Sequence, residues 1–91
     1  MTKGNCHMKR IIEDTIEIMT SVDYKERFKA EYLQTKIRYE KLHRMIVKYE
    51  AGTLEFSPTC SIDLLKSQKA AMGTYLYYLE VRAEIEKIDL E

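Results

Sequence analysis

The sequence predicts an all-α protein, a short N-terminal helix followed by a long antiparallel helical hairpin. Three observations carry that prediction. One proline and three glycines punctuate 91 residues, and Gly4, Gly52 and Pro58 fall at or beyond proposed helix ends. Apolar residues recur at helical rather than alternating spacing. Two long periodic segments of similar length are separated only by a short loop, the pattern of an antiparallel helix pair.

The first helix is expected over residues 8–19, where Met8, Ile12, Ile16 and Met19 fall on one face at i, i+4, i+8 and i+11. The stretch TSVDYKE then restarts the chain. Asp23 can cap the next helix while Glu26 reaches back to it, placing acidic charge at the positive end of the helix dipole. That second helix is expected over 24–50, about 40 Å at 1.5 Å per residue. Tyr24, Phe28, Tyr32, Tyr39, Leu42, Met45, Ile46 and Tyr49 share its broad apolar face, while Leu33 and Ile37 lie almost opposite. Gly52 is placed to end it in a left-handed cap.

The third helix is expected over 58–88, with Ser57 as cap and Pro58 as its first residue. Leu65, Met72, Leu76, Leu79 and Ala83 centre one face, edged by Gln68, Tyr75, Arg82 and Glu86. Ala70, Tyr77, Val81 and Ile88 form a second apolar stripe, with Tyr78 and Ile85 between the two. Lys69, Gly73, Glu80, Glu84 and Lys87 mark the polar side. An apolar arc this wide exceeds what one neighbouring helix covers, because a core-facing stripe is usually a little over 100°. Part of the excess can lie under the first helix. The rest predicts a homo-oligomer.

Length and charge bound the function. Ninety-one residues make one domain at most, burying only about 60–65% of the unfolded surface. Fifteen basic and fifteen acidic residues cancel, which disfavours a dedicated duplex-DNA binder. The balance is uneven along the chain: residues 25–48 carry eight basic and three acidic residues, and residues 80–91 carry two basic and five acidic ones. Cys6 and Cys60 make no spaced disulfide framework, which fits a reducing compartment. The stretch MTKGNCHMKR has no apolar signal-like region, and no segment reaches the roughly 18 apolar residues a membrane span requires. A cytoplasmic protein without a membrane partner is expected.

Catalytic patterns are absent. The sequence has no glycine-rich phosphate loop, nucleophile elbow, HExxH or paired CxxC. Cys6, His7, His43 and Cys60 lack a metal-ligand spacing, and Ser57, Thr59 and Ser61 read as helix-capping residues. No enzyme, metal or cofactor is expected.

The tyrosines and basic residues are the better lead. A nucleotide needs flat faces for its bases and cationic or amide donors for its phosphates. Arg82 follows Tyr78 by one turn and Tyr75 by two, Gln68 shares the edge of Tyr75, and Lys25, Arg27 and Lys36 lie near Tyr24, Tyr32 and Tyr39. The plainer reading is that such tyrosines are core or interface residues with a wet hydroxyl and that such lysines are solvated. Gly73 within a helix costs about 1 kcal/mol relative to alanine. It marks either a tolerated surface position or the close approach of a helix or ligand.

The run DYKERFKAEYLQTKIRYEKLHRMI, a short loop with Phe56, and LLKSQKAAMGTYLYYLEVR together resemble a family of small helical-hairpin proteins from phages and prophages, including the crAss-like phages. The matching elements are Tyr24, Arg27, Glu31, Lys41-Leu42, Phe56, Leu64-Leu65, Gln68, Met72, Tyr75, Leu79 and Arg82, within residues 23–88. The N-terminal helix is outside that pattern. The architecture is also similar to that of phage anti-CBASS and anti-Thoeris sponge proteins, which form homo-oligomers, often hexamers, and enclose cyclic nucleotides or cyclic ADP-ribose signals between subunits without cleaving them.

That resemblance implies a dimer-based homo-oligomer, extending to a hexamer, that sequesters such a signal in the host cytoplasm. Tyr75 or Tyr78 would stack on a base and Arg82 would contact a phosphate, with Gln68 alongside. Lys25, Arg27 or Lys36 would close the pocket from a neighbouring chain. The competing expectations are a helical module that docks its apolar stripe on a host or phage protein, and a nucleic-acid accessory protein using the basic second helix.

Overall fold

The computed structural model describes residues 15–90. These residues form helices and connecting segments with no strand among them: α1 at residues 15–19, α2 at Tyr24–Ala51 and α3 at Ile62–Glu86. Residues 8–14 of the expected first helix lie outside the described residues, as do Cys6 and His7.

The start of α2 differs from the expected capping box in one arm. Asp23 accepts from the Lys25 amide at 3.0 Å, but its own amide donates to the Ser21 hydroxyl at 3.1 Å rather than to Glu26. Serine two residues upstream closes this turn locally, which leaves the long Glu26 side chain in solvent. The helix ends as expected, with Gly52 left-handed at φ 76° and its amide donating to Lys48 and Tyr49 carbonyls.

The third helix starts four residues later than the Ser57-Pro58 expectation. Ser61 is the cap, accepting from the Leu64 amide at 3.1 Å, and Asp63 supplies acidic charge in the first turn. After Ser57 the first turn would hold Thr59 and Cys60, weak helix formers with no acid, so Ser61 wins. At the other end the chain leaves the helix at Lys87, left-handed at φ 59°. The Ile88 amide then donates to the Ala83 carbonyl at 2.8 Å, which folds Ile88 back onto the core in a Schellman turn.

Helices α2 and α3 pack as an antiparallel pair. Phe28 and Tyr32 from α2 meet Leu76, Leu79 and Ala83 from α3, and Ile88 closes the cluster. The core is concentrated away from the connecting loop. Nearer the loop, Ile46 is the buried residue of α2, and between Lys66 and Thr74 the side of α3 turned to Tyr39 and Ile46 carries Lys69 and the small residues Ala70 and Gly73. Small side chains opposite Tyr39 and Ile46 cannot fill the space between the helices, and a groove results.

The back of α2 is engaged by α1. Thr15 is fully buried and its hydroxyl accepts from the Gln34 side chain at 2.8 Å. Ile37, placed by periodicity on this opposite face, is buried as well. A surplus remains on α3: Tyr77, Tyr78, Val81 and Ile85 stay exposed, Ile85 by 73%.

Candidate ligand-binding groove

Two edges flank the contact between α2 and α3, and they differ in chemistry. One edge commits much of its polar chemistry to bonds within the chain. Arg82 lies over the Phe28 ring with its guanidinium carbon 4.7 Å from the centroid, within the range of a cation–π contact. Its Nε donates to Glu86 at 3.1 Å. The other Glu86 oxygen accepts from the Tyr24 hydroxyl at 3.0 Å. These bonds, Tyr24 first, hold the Glu86 carboxyl below the ordinary range, and the same bond raises the Tyr24 phenol. Further along this edge, Tyr75 donates to Glu31 across the helix pair.

The other edge is the groove. Tyr39, Ile46, Lys66, Lys69, Ala70, Gly73, Thr74 and Tyr77 line a cleft of about 640 Å³, inside the range of about 300–1,000 Å³ typical of ligand sites. Lys69 stands 5.9 Å above the Tyr39 ring. Lys66 forms an exposed ion pair with Glu50 at 2.9 Å, whose hydrogen bond raises the Lys66 ammonium's pKa. Gly73 admits the Tyr39 ring, because a Cβ there would stand 3.2 Å from its Cε1. Rings, ammonium groups and a small-residue floor suit a planar anionic molecule.

Two smaller clefts continue along this edge. Tyr39, Gly73 and Tyr77 border the next, which adds Lys36, Glu40 and Glu80. The third brings Lys36 together with Glu80, Glu84 and Asp89. Here Tyr32 donates to Glu80 at 2.6 Å and Lys36 approaches the Tyr32 oxygen at 3.4 Å. Burial, then the Glu80 bond, raises the Tyr32 phenol, while the Tyr32 contact raises Lys36.

The residues singled out by sequence are distributed over both edges. Tyr75 and Arg82 sit on the first edge, where Gln68 is exposed on the same side of α3. Tyr78 is 60% exposed, its ring centroid 5.9 Å from that of Tyr77. Lys25 is exposed at the start of α2, and Arg27 donates to the Ser21 carbonyl at 2.6 Å. Lys36 lines the two smaller clefts. Within one chain, none of the three clefts gathers Tyr75, Tyr78, Arg82, Gln68, Lys25 and Arg27.

Lys69 and Gly73 correct the expected polar side of α3. They are half-buried against Tyr39, because the wide apolar arc places the contact with α2 at the border of the polar stripe rather than far from it. The signal in the sequence was Lys69, Gly73 and Tyr77 at i, i+4 and i+8, a cation, a gap and a ring on one line of the helix.

Among the described residues no group of three or more His, Cys, Asp or Glu side chains could hold a metal, and no helix is long and apolar enough to cross a membrane. No curated protein and no solved structure matches the chain significantly. A family model does match, under the name Sequestin, over residues 22–85, which spans α2, the loop and nearly all of α3. With that match covering well over half of its length, the chain belongs to the Sequestin family.

Proposed function

We propose that this chain is a phage-type sponge that sequesters a cyclic nucleotide or cyclic ADP-ribose immune signal and releases it unchanged. Membership in a family named for sequestration carries the reading. The name implies binding rather than catalysis, and the setting we propose is the cytoplasm of the infected host. Capture by mass action then keeps the host effector unliganded, which requires tight binding; a nanomolar Kd corresponds to about −12 kcal/mol.

The proposed assembly is a dimer-based homo-oligomer, up to a hexamer. The exposed Tyr77, Tyr78, Val81 and Ile85 support it, as they would otherwise leave a line of apolar surface in water. Within it, Tyr75 or Tyr78 stacks on a base, Arg82 contacts a phosphate and Gln68 supplies an amide, with Lys25, Arg27 or Lys36 from a neighbour. Arg82 retains terminal nitrogens without a partner among the described residues, because only its Nε is committed to Glu86.

Calorimetric titration with a panel of cyclic di- and trinucleotides and cyclic ADP-ribose isomers tests the reading. Stoichiometric, submicromolar capture of one of them is the expected result. The same exposed stripe also favours a second reading, a module that docks on another protein. No capture across the panel would shift the balance to it.

A further inference from the structure

We infer that the groove walled by Tyr39 and Tyr77 is a nucleotide site, in which Lys69 and Lys66 bind phosphate and the two phenol rings hold the base. The ligand's class rests on the sequestration reading above; the location rests on the groove itself.

Charge separates this cleft from its neighbours. Its lining carries two lysines and no carboxylate. The adjoining clefts set Lys36 against Glu40 and Glu80, or against Glu80, Glu84 and Asp89. A phosphate entering either of those meets more negative than positive charge. Electrostatics therefore directs an anion to the Lys66–Lys69 end of the edge.

The two lysines are differently prepared. Lys69 has no acidic partner among the described residues and is held over the Tyr39 face at 5.9 Å. A contact at this distance, near the outer limit for a cation over a ring, favours this position weakly and leaves its three N–H donors for a ligand. Lys66 is paired with Glu50, but both side chains are about half exposed, and exposed pairs of this kind contribute little. A phosphate can take the place of the Glu50 carboxylate at small cost.

The walls and floor suit the rest of a nucleotide. Tyr77 leaves 61% of its surface in water, which keeps a ring face available for stacking. Ala70 and Gly73 keep the floor open, and the Thr74 hydroxyl, which donates to the Ala70 carbonyl at 3.1 Å, still has lone pairs for a ligand N–H or O–H. An uncharged apolar ligand would have to desolvate two ammonium groups, and a bare anion would leave both rings unused.

The test uses the full chain, labelled with nitrogen-15, and AMP as the probe, with adenosine as the phosphate-free comparison. AMP is expected to shift the amides of Lys69, Ala70, Gly73 and Tyr77, and adenosine to bind about tenfold more weakly. Lys69→Ala and Tyr77→Ala are each expected to weaken AMP about tenfold, whereas Arg44→Ala, an equal loss of charge at an exposed site elsewhere on α2, leaves it unchanged. Circular dichroism verifies that each variant folds. Shifts confined to other residues, or AMP affinity untouched by both groove variants, would overturn the site. The two readings fail separately. A chain that captures a panel signal at full affinity with both groove variants loses this site but remains a sponge. One that binds AMP here and captures no signal keeps the site and loses the sponge.

Discussion

Gly73 and Tyr39 fit together closely: a Cβ on Gly73 would stand 3.2 Å from Tyr39 Cε1, so a side chain there makes the ring give way. The glycine thus sets how closely the ring approaches α3 and how wide the adjoining groove is. Gly73→Ala gains about 1 kcal/mol of helix propensity, which offsets the small ring displacement, so its stability stays within about 1 kcal/mol of wild type. Gly73→Val is expected to destabilise by about 1–3 kcal/mol. Tyr39→Ala in the same chain should remove most of that extra penalty, as read by urea unfolding in a double-mutant cycle.

Lys87 adopts a left-handed backbone at φ 59° to let Ile88 return to the core. Such a conformation costs a non-glycine residue about 1–2 kcal/mol. Lys87→Gly is expected to raise the melting temperature, with a gain of about 1 kcal/mol after the greater chain entropy of glycine is counted. A lowered melting temperature would show that the Lys87 side chain contributes more than its backbone costs.

The position of the third helix's start is tested by two serines. Ser61→Ala removes the cap on the Leu64 amide and is expected to cost about 1 kcal/mol. Ser57→Ala is expected to be near neutral, because Ser57 lies in the loop. The reverse order would place the helix start back at Pro58.

Much of this hairpin was legible in its sequence, for physical reasons that also explain the exceptions. Asp23 and Gly52 bracket α2 because a polar cap and a left-handed glycine act locally and leave a local signature. Ser57-Pro58 carried as clear a local signature as Ser61, and only the acid at Asp63 and the poor helix formers between them separate the two. The groove was less legible. Lys69 and Glu80 read as solvent-facing charges on one helix, but each meets a tyrosine of the other, Lys69 over Tyr39 and Glu80 beneath the Tyr32 hydroxyl. Which tyrosine a charge meets depends on the register between helices, and periodicity within a helix does not carry it.

The Tyr24–Glu86–Arg82 cluster predicts a pH window. The Glu86 carboxyl is held below its ordinary 4.5, so its contribution is present above that value and is lost as pH falls through the lowered one. The Tyr24 phenol is raised above 10.0, so the same bond is present below that value and is lost as pH rises through the raised one. Glu86→Gln is expected to flatten the acid limb of a stability-against-pH profile measured by urea midpoints. An unchanged acid limb would assign that limb to other carboxylates.

The central claim is capture without conversion, and recovery of the ligand tests it most directly. The protein would be saturated with the signal it binds in the calorimetric panel, freed of excess, and heat-denatured, and the released molecule would be weighed by mass spectrometry. The account predicts an intact ligand in stoichiometric amount. A hydrolysed or otherwise altered product appearing with time before denaturation would contradict it and make the chain an enzyme.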